Sequence, residues 1–239
     1  SSGSGSGGSS GDSSSGGGSS GGSSGSGGGV GGAASSGTGD FNGLAAYSDV
    51  KLNGALAVLQ GTINGDYFYN LVNEKNITLS YGDLSSFNAL GLYIPTFWLD
   101  FYPDDKVIAN TIYMDSSLAS DLSWSKEAIA VVLVHESLHA DYDHNTEKWV
   151  IPTMQRYGVD RSQLNWFEDP ITHQEVLGDS IDQEYNAFVQ EALLWREIRG
   201  QQTNQELDYI LNLYEQDEAL GTGQLYARIA QAYQGYPPY

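Results

Sequence analysis

At 239 residues the chain has room for one ordinary domain and a tail, and its formal charge of −20 argues against a nucleic-acid partner, because phosphate binding needs clustered Lys and Arg. The same charge disfavours anionic lipid, and no apolar run approaches the roughly 20 residues that cross a bilayer, so no membrane-spanning segment is expected. With no cysteine, disulfides and thiolate metal sites are excluded.

Residues 1–40 are almost wholly Gly and Ser, with Asp12 and Asp40 the only charges. Such a stretch has no apolar surface to offset the entropy of ordering, so a disordered, flexible linker is expected there. A spacer of this kind, in a chain that begins at Ser, leads to the expectation of an extracellular or cell-envelope protein tethered through its N-terminal linker. From Phe41 the density of Tyr, Leu, Ile and Trp rises abruptly, and one domain is expected over 41–239.

Within it, residues 48–60 and 65–75 carry apolar residues at helical spacing, and 77–81 alternates as a strand does. Aromatic and β-branched residues over 92–102, the turn Pro103-Asp104-Asp105-Lys106 and the run 107–114 read as a hairpin or two adjacent strands. Ser123 or Ser125 then caps a helix with Glu127 in its first turn. That helix is apolar on every side over 128–134, which implies burial, and it runs on to about Asp141. Residues 145–177 read as irregular, with turn signals at Pro152, Gly158 and Pro170. A strong helix over 179–199 ends at Gly200, and two amphipathic helices, near 204–219 and 223–234, precede a Pro-Pro tail expected to fray. Helices, a few strands, then mostly helices make an α+β fold with a small sheet.

The chemistry sits at the end of the buried helix, in His135-Glu136-Ser137-Leu138-His139. Histidines four apart project from one helix face and can bind one tetrahedral zinc ion at about 2.0–2.1 Å. Glu136 lies about 100° round the helix, where a carboxylate reaches a water rather than joining the rings as a ligand. It is the expected general base. A third protein ligand is needed, with a fourth position left for water. His144 is close but does not complete the metzincin pattern, which would place Gly and His where Tyr142 and Asn145 stand. Glu184 is the better candidate, because Ala187 and Phe188 share its face and turn it inward, and a buried carboxylate needs a partner. Asp182, Glu175 and Glu191 are fallbacks. A di-iron bundle is excluded, because the required second Glu-x-x-His pair is missing.

With His-Glu-x-x-His and the later Glu184-Tyr-Asn-Ala187, the sequence resembles the gluzincin zinc metallopeptidases. The resemblance implies a minimal zincin-like domain, a Zn2+ cofactor held by His135, His139 and Glu184, and hydrolysis of a peptide or protein substrate. It also implies a strand lining the substrate cleft, for which the run ending at Asp115 is the candidate, and a Tyr or His that stabilises the oxyanion. Tyr142, His144, His173 and Tyr185 are open for that role, and Trp149 and Trp166 for a substrate wall. The alternative is a tethered module that keeps zinc for binding or structure without hydrolysis. Sequence gives no oligomeric state.

Overall fold

The computed structural model describes residues 50–239; the Gly/Ser tract and the boundary expected near residue 40 lie outside the described residues. Helix α1 (Val50–Leu59) and helix α2 (Asp66–Glu74) bury Leu52, Ala55 and Leu59, and Phe68, Leu71 and Val72. The chain then forms β1 (Thr78–Gly82), β2 (Gly91–Ile94), a single turn α3 (Trp98–Phe101) and β3 (Thr111–Asp115). The sheet order is β1-β3-β2, with β1 parallel and β2 antiparallel to β3.

Two expectations change here. The stretch 92–102 is a strand only to Ile94; Pro95 follows and the aromatic run turns into α3. β3 is the central strand, with both edges used, so it has no free edge to pair with a substrate. β2 stands at the edge instead. Its side chains alternate as a pleated strand requires. Tyr93 joins the main core, whereas Leu92 and Ile94 pack on the opposite face with Leu84, Trp98, Val107 and Tyr113.

After the short turn α4 (Ser117–Ser120), helix α5 (Lys126–His144) starts at Ser125, whose side chain accepts from the Ala128 N–H. Every residue from 128 to 142 is buried, because α5 runs between the sheet on one side and helices on the others. Each Val, Leu or Ile covered in this way contributes roughly 1.5–3 kcal/mol relative to exposure.

The region 145–177 is more ordered than its turn signals imply. α6 (Thr146–Tyr157) contains Pro152 and stops at Gly158, which takes φ 64° as a left-handed helix terminus. A small hairpin, β4 (Trp166–Glu168) with β5 (Glu175–Leu177), follows. Then come α7 (Ile181–Ile198), α8 (Gln205–Leu220) and α9 (Gln224–Ala232). α7 packs along α5, and α8 and α9 cover its other side.

The tail does not fray. The Ile181 and Asp182 N–H groups donate to the Pro237 and Pro238 carbonyls (2.9 and 3.1 Å), and the Tyr239 ring packs on Tyr157. The first turn of any helix leaves N–H groups without intrahelical acceptors, and the tail supplies two of them to α7. The result is α+β: a small mixed sheet, a buried central helix and a mostly helical C-terminal half.

Candidate metal centre

α5 and α7 bring three donors together. The donor atoms of His135, His139 and Glu184 all lie within 4.8 Å of one another, and all three side chains are buried. Helical spacing explains the arrangement. His135 and His139 are one turn apart on α5, with ring centroids 5.0 Å apart. On α7, Glu184, Phe188 and Glu191 follow at four and three residues and present one face to α5. Phe188 sets its ring edge-on to His135 at 4.9 Å.

The donor set fits a divalent metal ion. His135 Nε2 is 3.5 Å from Glu184 Oε2, and His139 Nε2 is 3.8 Å from Glu184 Oε1. A tetrahedral ion about 2.0–2.1 Å from each donor holds its ligands about 3.4 Å apart, so these separations need only small side-chain adjustments. None of these four atoms makes a hydrogen bond. Buried polar atoms without partners are costly, and a cation at their centre would remove that cost.

Glu191, a fallback ligand, lies behind the cluster. Its Oε1 is 3.0 Å from His135 Nδ1, the ring nitrogen facing away from Glu184. A proton on Nδ1 shared with Glu191 leaves Nε2 free as a donor, and such a partner also fixes the ring. The other fallbacks are engaged elsewhere. Asp182 accepts from Arg156, Tyr157 and Thr153, and Glu175 is exposed beside Arg161. His144 faces Asn110, its Nε2 2.8 Å from that amide oxygen. Asp141 is tied to Tyr67, Asn145, Lys148 and Trp149, so it joins α2, α5 and α6 rather than orienting a ligand ring.

Glu136 is wholly buried against β2. The Tyr93 N–H, on the outer edge of that strand, donates to Glu136 Oε2 (2.9 Å), while Oε1 has no partner. Gly91 makes this possible. A Cβ there would stand 2.6 Å from Glu136 Cγ and Oε1, so only glycine lets the carboxylate lie against the strand.

The cluster perturbs its own protonation. Burial pulls His135 down, but Glu191, Glu184 and Glu136 outweigh it and the ring is pushed up to about 10. Burial raises Glu136, partly opposed by His135 and reinforced by Glu184, to about 8. Glu184 is raised by burial against the pull of His135. His139 is held well below the usual imidazole range by burial and by His135.

The four residues open for oxyanion stabilisation lie elsewhere. The Tyr142 hydroxyl accepts from Asn186 Nδ2, His144 faces Asn110, His173 is exposed beside Glu168, and Tyr185 packs on Tyr226. The tyrosine beside the cluster is Tyr233, just after α9. Its hydroxyl is buried and raised well above the usual phenol range by burial and by Glu184. No spacing rule links residue 233 to the motif, so sequence gave no signal for it. Gly91 was more accessible, since an isolated glycine in a strand marks close approach.

The expected substrate wall also moves. Trp149 stacks on Tyr142 at 4.4 Å, and Trp166 lies under Arg161. The aromatic surface beside His139 comes from Tyr93, Phe97, Trp98, Phe101, Tyr102 and Phe167. Comparisons with protein-family models, with curated proteins and with solved structures found no match to this chain.

Proposed function

We propose that the protein is a zinc-dependent peptidase of gluzincin type, with His135, His139 and Glu184 as ligands and Glu136 as general base. The observation that carries this reading is Glu136, a buried carboxylate next to the ligand cluster with one oxygen held by the Tyr93 N–H and the other free. A metal kept only for structure has no use for such a group. Bound zinc supplies Lewis acidity, which lowers the pKa of water toward about 7 and polarises a scissile carbonyl. Glu136 takes the proton of the attacking water and returns it to the departing amine. The Tyr93 N–H fixes the carboxylate during both transfers, and Glu191 fixes His135. The Tyr233 hydroxyl donates to the oxygen on which negative charge develops.

A second reading has an observation in its favour. His135, Glu136 and Glu184 have no exposed surface, and only His139 borders an open cavity. A metal held for structure would be closed in this way. Metal analysis and peptide-library hydrolysis of the zinc-loaded protein and of Glu136→Gln separate the two. The peptidase reading expects one zinc per chain in both, with hydrolysis falling about 10²–10⁴-fold in the variant. Bound zinc with no hydrolysis of any peptide by the native chain would overturn it and leave the structural module.

A further inference from the structure

Beside His139 lies a cavity of about 90 Å³ between two walls. One wall is the segment from β2 through α3, with Tyr93, Phe97, Trp98, Phe101 and Tyr102; the other runs from β4 to the start of α7, with Phe167, Asp179 and Gln183. Phe101 and Phe167 close it edge-to-face at 6.3 Å. Phe167 can lie there because residue 178 is glycine, where a Cβ would stand 2.3 Å from the Phe167 ring. Pockets for whole small ligands run to about 300–1,000 Å³, so this one is sized for a single side chain.

Its charged side chains are acidic. Asp143 and Asp179 supply carboxylates, and no Lys or Arg lines the cavity. Two wall donors are already used: the Tyr93 hydroxyl donates to Asp143 (2.7 Å) and Trp98 Nε1 to Asp105 (2.8 Å). Gln183 is only 3% exposed, and its Oε1 has no hydrogen-bond partner.

We infer that this cavity is a specificity subsite for a basic side chain, Lys or Arg, of the peptide residue flanking the scissile bond; the inference rests on the peptidase reading above. The aliphatic stem lies against the aromatic walls, where a cation is also attracted to the ring faces. The charged end takes the carboxylates of Asp143 and Asp179 as acceptors. A bound divalent ion does not repel it, because Glu136 and Glu184 offset the two positive charges. An apolar side chain would fill the same walls but bring no charge to Asp143 and Asp179.

The test is binding of matched peptides, identical except for Arg, Lys, norleucine, Phe or Glu at one position, to zinc-loaded Glu136→Gln protein by calorimetry. Arg and Lys peptides are expected to bind at least about tenfold tighter than norleucine, a preference that shrinks in Asp179→Asn and in Asp143→Asn. Equal or tighter binding of norleucine or Phe, or no binding of any peptide, overturns the subsite. The series is compared within one protein, so the result does not depend on either variant folding. Hydrolysis of the same peptides by the native zinc-loaded chain separates the two readings. Cleavage at norleucine but not at Arg or Lys overturns the subsite and leaves the peptidase. Tight binding of Arg and Lys peptides without cleavage of any peptide overturns the peptidase, and with it the place beside a scissile bond, and leaves a binding cavity for basic side chains.

Discussion

Replacing Gly91 with Ala tests how Glu136 is positioned without touching Glu136 itself. The added Cβ would lie 2.6 Å from Glu136 Cγ and Oε1 and 2.9 Å from Cδ, where ordinary carbon contacts begin near about 3.5 Å. One partner must therefore give by about 1 Å. The strand cannot easily move, because β2 is hydrogen-bonded to β3 in register from Gly91 to Ile94. The carboxylate is buried and held by the Tyr93 N–H, so it has no empty space to enter. Overpacking of this kind costs about 1–3 kcal/mol. A catalytic group displaced by about 1 Å loses about 100-fold in rate. Gly91 contacts none of the three ligand side chains among its nearest atoms, so zinc content should stay at the native level. The assays are metal analysis, urea unfolding and peptide hydrolysis. Gly54→Ala is a control, since its Cβ would meet only Lys126 Cδ at 3.9 Å and helix α1 should gain about 0.5–1 kcal/mol. Native stability and native hydrolysis in Gly91→Ala would refute the argument that this close approach sets the base.

Glu191→Gln keeps the shape of the His135 partner but removes its charge, and zinc affinity is expected to fall about 10–100-fold by competition with a chelator; unchanged affinity would show that Glu191 does not act through His135. In the metal-free protein, His135 is pushed up to about 10 and Glu136 to about 8, so the folded state holds protons that the unfolded chain has released. Both shifts have the same sign: stability should fall as pH rises between 7 and 9, a window above the usual His pKa, where the depressed His139 no longer contributes. Thermal unfolding in chelator across that range would show a falling midpoint, whereas added zinc, which needs those groups deprotonated, should stabilise more as pH rises. Deleting residues 237–239 removes two acceptors from the first turn of α7, each worth about 0.5–1.5 kcal/mol, and should lower both the unfolding midpoint and zinc affinity. A midpoint unchanged by the deletion would mean that water replaces the tail at no cost.

The sequence was most readable where one physical signal dominated. A run apolar on all sides reads as a buried helix, and α5 is buried from 128 to 142. Histidines four apart share a helix face, so their convergence needs only the helix. Glu184 was readable from its own helix face, because Ala187 and Phe188 turn inward with it. Legibility ended where long-range packing decides. Pro152 looked like a break yet lies inside α6, and the aromatic run after Ile94 became a helical turn rather than more strand. Tyr233 reaches the cluster only because α9 folds back over α7, and no local pattern encodes that return. Strand order was equally out of reach, because, unlike strand propensity, it is set by what each edge pairs with.

How this chain treats two of its other buried acids argues that the cluster is suited to a cation. Asp141 is wholly buried and is met by Lys148; Asp182 is almost wholly buried and is met by Arg156. In both places an uncompensated carboxylate would be expensive, and a basic side chain offsets it. Glu136, Glu184 and Glu191 sit as deep, yet among the described residues the basic groups paired with Glu184 and Glu191 are only His135 and His139. One of those rings is itself driven toward the neutral form by burial and by its neighbour. Three acids facing two imidazoles with unused nitrogens make a poor ion pair but a good divalent-metal site, because one ion offsets two charges and uses lone pairs that nothing else satisfies. Stability and metal occupancy are then linked, since an ion that binds only the folded state stabilises it by mass action. The ion would be part of what holds α5 against α7, whatever reaction it also serves.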